Sequence, residues 1–185
     1  MIKYSDKITV DGKKYDAVLL KAEKKDGPEM KRLYGAWLEL KMGLTKFESR
    51  APNLPEGISE GAFSLEFDCP RVLYVKGTSG SYDCYNPKTH ERIQIKATTI
   101  RYDLTSFGPE SVWDALYFLD FYRDGKFDCK YDVYKIPNDL IYNFQINKTQ
   151  TFRDQQKQKR RPRFGLKKSI IEANKIKPIK TCTVG

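Results

Sequence analysis

Histidine occurs once in this chain, as His90, and cysteine four times, at Cys69, Cys84, Cys129 and Cys182. The cysteines are scattered and no Cys-x-x-Cys occurs, so a zinc site is disfavoured and reduced thiols are expected. One imidazole without a partner builds neither a triad nor a metal cluster, and His90 reads as a turn residue. No Gly-Lys-Ser/Thr ending is present, and Gly77-Thr78-Ser79-Gly80 is too short and poorly placed for a phosphate-binding loop, which disfavours nucleotide hydrolysis. The first ten residues already include Lys3, Asp6 and Lys7, unlike a signal peptide, and no apolar run approaches a bilayer span. A cytoplasmic protein is the expectation. There is no internal repeat and no low-complexity linker.

What the chain has is positive charge, unevenly placed. Residues 151–185 carry 11 of the 34 basic side chains but only two of the 24 acids, Asp154 and Glu172. Their net charge is +9, against +1 for the first 150 residues. A solvated tail is the plain interpretation of such a run. Phe152, Pro162, Phe164, Leu166, Ile170, Ile171, Ile176 and Ile179 punctuate it, however, and point to packing on the body. Within it, Gln155, Gln156, Lys159, Arg160, Arg161 and Arg163 suit phosphates and base edges, since arginine forks read guanine and glutamine amides read adenine. We expect residues 1–185 to form one domain, with 151–185 as its DNA-contacting segment.

The local patterns predict a mixed sheet with helices on its faces, an α/β (α+β) architecture. Ile8-Thr9-Val10, a turn at Asp11-Gly12 and Tyr15 to Leu20 read as a hairpin. Asp26-Gly27-Pro28-Glu29 starts a helix whose stripe Met30, Leu33, Tyr34, Trp37, Leu40, Lys41 and Leu44 is read as core. Asn53-Leu54-Pro55-Glu56 starts a second, with Ile58, Ala62 and Leu65 as its apolar stripe and Glu60 to the side. Val72 to Val75 is a strand candidate, a short helix is expected from Glu110 to about Ala115, and Leu116 to Phe121 reads as a strand buried on both faces. A further strand runs from Tyr131 to Ile136, ended by Pro137.

The most informative stretch is Gly80 to Thr98. Asn86-Pro87-Lys88 supplies a turn between flanks rich in aromatic and β-branched residues. On the second strand Arg92, Gln94 and Lys96 share one face and Ile93 and Ile95 the other. Asp83 on the first strand therefore faces an oxygen ligand and an ammonium two residues apart. Hydrolysis of a phosphodiester needs an activated water and neutralised phosphate charge, which Mg²⁺ held by hard oxygen ligands supplies. Asp83 is the candidate direct ligand, Gln94 offers its amide oxygen and Ile95 its carbonyl, and Lys96 stands beside the attacking water. Glu60 is the best second carboxylate, with Glu56 one helical turn away in reserve and Glu91 also within reach. Each residue alone has an ordinary structural use, and the spacing alone is weak evidence.

The hairpin resembles the PD-(D/E)xK nuclease superfamily, with Gln94-x-Lys96 where Glu-x-Lys is usual. That departure removes one charge from the site and favours a contribution from Glu60. A longer string is similar to the Bsp6I family of type II restriction endonucleases: Leu54 to Glu60, Ser81 to Asn86, Ile93 to Thr98, Asp103 to Pro109 and Arg160 to Phe164. The resemblance covers roughly residues 28 to 182. It implies a PD-(D/E)xK core and a Mg²⁺-dependent endonuclease cutting both strands of a GCNGC-like, palindromic-type site. It further implies a homodimer, one subunit per strand, and a cognate DNA methyltransferase as functional partner. Competing expectations are a junction resolvase or repair nuclease of the same fold, and a non-catalytic DNA-binding protein. An RNA-coated module is disfavoured by the acid-rich first 150 residues.

Overall fold

The structure is a computed structural model that describes residues 1–77 and 82–185. Strands β1 (Ile2–Val10) and β2 (Lys13–Lys21) form the expected hairpin. Its two-residue turn needs left-handed backbone at both positions, and Asp11 (φ 50°) and Gly12 (φ 76°) supply it. Helix α1 (Gly27–Thr45) follows, with proline in its first turn. Helix α2 (Glu56–Phe67) starts after Pro55 and stops at Asp68, which is left-handed at φ 55°. The chain returns to the sheet as β3 (Arg71–Val75), β4 (Cys84–Tyr85) and β5 (Arg92–Thr98). Between β4 and β5 the Asn86 side chain accepts the backbone N–H groups of Lys88 and Thr89, at 3.0 and 3.3 Å, which closes the turn. Thr78 to Ser81, which include part of the glycine-flanked segment considered above, lie outside the described residues.

The short β6 (Thr105–Ser106) precedes β7 (Ala115–Asp120) and β8 (Lys130–Ile136). The rest of the chain contributes α3 (Asn138–Tyr142), β9 (Gln145–Asn147), β10 (Gln150–Thr151), α4 (Phe152–Lys157), β11 (Arg163–Phe164), a π-helical turn (Lys167–Glu172) and β12 (Lys180–Thr183). One eight-stranded sheet runs in the order β1-β2-β3-β4-β5-β7-β8-β12. Its pairs are antiparallel except β5 with β7, where Gln94 lies beside Leu116 and Lys96 beside Phe118. β9 pairs with β10 and β11 with β6 in two small side sheets. The α/β architecture expected from the patterns is therefore present. Among the described residues no helix is long and apolar enough to cross a membrane, and all four cysteines are free.

Both faces of the sheet are covered. Ala115 and Leu119 of β7 pack with Met30, Tyr34 and Trp37 of α1 and with Ile58 and Phe63 of α2. Leu116 and Phe118 point the other way, into a second core with Phe107, Trp113, Phe152, Phe164 and Leu166. Successive strand residues face opposite sides, so β7 is buried on both faces, as its unbroken apolar run indicates. Truncating a wholly buried phenylalanine such as Phe118 costs about 3–5 kcal/mol.

Three local expectations change. Residues Glu110 to Ala115 are not helical. Distant residues take up several of their backbone groups: the Gln156 amide donates to Ser111 O (3.3 Å) and to Gly108 O just before the segment (3.4 Å), Asn138 donates to Asp114 O (2.9 Å), and Asp114 N donates to Arg92 O (2.9 Å). Trp113 is locked between Phe107 and Tyr142, and its indole N–H donates to Asn138. Nor is the whole stripe of α1 core. Leu33 and Leu40 are 42% and 52% exposed, because Met30, Tyr34 and Trp37 already fill the face toward the sheet. In the basic C-terminal stretch, Phe152, Phe164, Leu166, Ile170 and Ile171 are buried as expected, while Ile179 is exposed.

Candidate active site

Asp83 enters β4 with both backbone groups committed to its neighbours. Its carbonyl accepts from Val72 N and its N–H donates to Ile93 O, both at 2.9 Å. This fixes the side chain against β5. There Asp83 Oδ2 accepts from the Ile95 backbone N–H at 2.6 Å and from the Gln94 side-chain amide. Both bonds fall on the same oxygen, and among the described residues Oδ1 receives none. Burial pushes the Asp83 carboxyl above its ordinary range, opposed by the charge of Lys96 and by those two hydrogen bonds.

Glu60 reaches the same region from α2. Arg71, the first residue of β3 and the sheet partner of Cys84 beside Asp83, places both Nε and Nη2 on Glu60 Oε2 at 2.7 Å. The pair is enclosed, with side-chain exposures of 13% for Arg71 and 15% for Glu60. Among the described residues Oε1 is again without a hydrogen bond. Burial, and then the nearby charge of Asp83, push the Glu60 carboxyl up to about 7, against the pull of Arg71.

Lys96 is half-buried, with Nζ over the ring of Phe107, 5.3 Å from its centroid. Burial lowers its ammonium below the ordinary lysine range; Asp83 and Glu60 counter this, and Arg161 adds to it. Arg161 is brought within electrostatic reach by β11, which pairs with β6 and directs Phe107 N onto Pro162 O at 3.1 Å. The basic segment therefore flanks the site.

These elements surround a cleft of about 530 Å³. Arg50 to Leu54, Glu56, Ser59 and Glu60 form one wall, and the chain from Ile95 to Ser106 forms much of the other. Asp83 and Gln94 do not line the cleft; they are tied to its wall through Ile95. Glu56 lines it and raises the carboxyls of Asp83 and Glu60 by its charge. Glu91 turns instead to Thr89 and Lys135 and is not a lining residue. Of the basic segment, Lys159, Arg160, Arg161 and Arg163 are exposed. Gln156 is engaged by the loop carbonyls described above, and Gln155 donates to Gln150 at 3.4 Å.

Among the described residues no group of three or more His, Cys, Asp or Glu side chains could hold a metal. The donor set nevertheless suits Mg²⁺, which is commonly held by one or two carboxylates, with waters and substrate phosphate completing the octahedron. Among the described residues Asp83 and Glu60 each have one oxygen that accepts no hydrogen bond while the other is pinned, and each is pushed up partly by acidic neighbours. Gln94 turns its amide nitrogen to Asp83 and pins it, which leaves its amide oxygen out of that bond. Arg71 escaped the sequence reading. It lies twelve positions before Asp83, and only the pairing of β3 with β4 places it here.

A family model described as Bsp6I restriction endonuclease matches residues 22–173. The type II restriction enzyme Bsp6I of Bacillus sp. (strain RFL6) is 39% identical over 165 residues, covering 86% of this chain and 89% of that protein. No solved structure matches.

Proposed function

Because the chain belongs to the Bsp6I restriction endonuclease family, we propose that it is a Mg²⁺-dependent endonuclease that cuts both strands of a short palindromic-type DNA site. The observation that carries this reading is the pair of carboxylates, Asp83 and Glu60, each held through one oxygen while the other accepts no hydrogen bond among the described residues, within electrostatic reach of the half-buried ammonium of Lys96.

In this reading Asp83 and Glu60, with the Ile95 carbonyl, would hold the cation. Mg²⁺, when bound, neutralises charge on the scissile phosphate. Gln94 and the Ile95 N–H keep Asp83 in position. Lys96 orients the attacking water and stabilises the negative charge that develops on the phosphate in the transition state. Packing against Phe107 shields part of the Lys96 ammonium from solvent and strengthens that interaction. Residues 1–185 act as one nuclease domain of PD-(D/E)xK type. Arg160, Arg161 and Arg163, with Lys159 and Gln155, contact the duplex through phosphates and guanine edges. A GCNGC-like site is the target that best fits the family. Its two-fold symmetry calls for a homodimer with one subunit per strand, and a methyltransferase of the same specificity would protect the host DNA in the cytoplasm.

The experiment is incubation of the purified chain with unmethylated plasmid, with Mg²⁺ or with EDTA, beside Lys96→Ala. Discrete fragments are expected with Mg²⁺ only, and the variant should lose about 10²–10³-fold in rate. Their ends give the recognition site. A smear in place of bands would favour a repair or structure-specific nuclease. DNA binding without cutting under any divalent cation would leave a non-catalytic DNA-binding protein.

A further inference from the structure

The chain between β5 and β6 carries three large apolar side chains in five positions. Ile100, Tyr102 and Leu104 are 48%, 67% and 68% exposed, and Ile100 and Leu104 line the cleft. The backbone that displays them is fixed at both ends. Ile100 N donates to the Thr98 hydroxyl at 3.3 Å and Ile100 O accepts from it at 3.1 Å. Asp103 accepts from Leu166 N, Lys167 N and the Thr105 hydroxyl, at 2.8, 2.9 and 2.7 Å. Gly165 belongs to the same anchor, since a Cβ there would stand 2.9 Å from Asp103 O. The Arg101 guanidinium lies 5.4 Å from the centre of the Tyr102 ring. A braced loop thus presents apolar tips to solvent beside the candidate active site.

We propose that this loop is a DNA wedge: Tyr102 and Leu104 enter a groove of the bound duplex and press against its bases. The inference rests on the nuclease reading in taking DNA as occupant of the cleft. The cleft lining itself is balanced, Lys41, Arg50 and Lys96 against Glu56, Glu60 and Asp103, but its rim favours that occupant, because the exposed Arg160, Arg161 and Arg163 flank it and Arg101 stands in the loop itself. A second copy would instead bring another chain of net charge +10 onto a basic rim. Apolar wedges open base steps at the cost of stacking, which the newly buried apolar surface and base–aromatic contact offset.

The test uses the full-length protein in Ca²⁺, to hold the substrate uncut. The probe is a fluorescent duplex carrying the mapped cleavage site, or GCNGC if none is mapped, with 2-aminopurine at its centre. Tyr102→Ser and Leu104→Ser are each expected to raise Kd about tenfold. They should leave the slope of log Kd against log salt unchanged, because no phosphate contact is lost. Arg161→Ala, by contrast, should make that slope shallower. The wild type should brighten 2-aminopurine and the double variant should not. Equal affinity and equal fluorescence for wild type and variants would overturn the wedge. So would sedimentation at half the wild-type mass, which would make the loop a contact between copies. Cutting of the same duplex in Mg²⁺ is read in parallel. Cutting with loop-independent binding sinks the wedge alone, and loop-dependent binding without cutting sinks only the nuclease reading.

Discussion

Gln94 decides what kind of carboxylate Asp83 is. Its amide nitrogen and the Ile95 N–H both serve Asp83 Oδ2, so a neutral donor occupies the place where a second acid would repel it. Gln94→Glu removes the donor and sets two carboxylates together at a site where Gln94 is 4% exposed. In EDTA the variant should lose about 3 kcal/mol of stability by urea denaturation, and Ca²⁺ should restore more of it than it adds to the wild type. Equal stability of the two proteins in EDTA would contradict the geometry. The closeness of Asp83 to Gln94 and Lys96 was legible because a hairpin sets its first strand against the alternating side chains of its second. Arg71 was not, since its partner Glu60 is eleven residues away in sequence and an arginine opening a strand carries no signal of its own.

Among elements, those with self-contained signals were read correctly. The Asp11-Gly12 hairpin and the proline-led helices need no knowledge of the rest of the chain. The segment before β7 failed because its extended backbone is held by Gln156 and Asn138, far along the sequence. The short strands β9 to β11 and the π-helical turn escaped for the same reason, being shaped by what they pack on. One contact between elements gives a pH dependence. Arg92, at the start of β5, donates through Nε and Nη2 to Asp114 just before β7, at 2.8 and 2.7 Å. This holds the Asp114 carboxyl below its ordinary range. A lowered carboxyl stabilises the fold above the unfolded-state pKa, and that contribution is lost as pH falls through the lowered value. Asp114→Asn should therefore be less stable at neutral pH, by no more than about 1 kcal/mol because Asp114 is 38% exposed. Chemical denaturation at a series of pH values should show that deficit shrinking toward acid; a constant deficit would mean the pair is not what titrates.

For the whole molecule, the sheet order was the least legible property. Nothing in the sequence announces that β5 runs parallel to β7, or that β12, at the far end of the chain, pairs with β8. That arrangement sets β5 inside the sheet, between β4 and β7, with β1 and β12 at the edges. Asp83 is laddered by its backbone to β3 and β5 at once. The candidate site groups on β4 and β5 therefore share the fate of the central strands. Heating should produce no stage at which the protein is folded but the cleft has melted, so thermal inactivation and loss of secondary structure should trace a single curve. The amides of Gln94 to Lys96 should be among the last to exchange with deuterium, long after those of Ile100 to Leu104. An enzyme of this build would be inactivated by heat only as fast as the sheet itself comes apart.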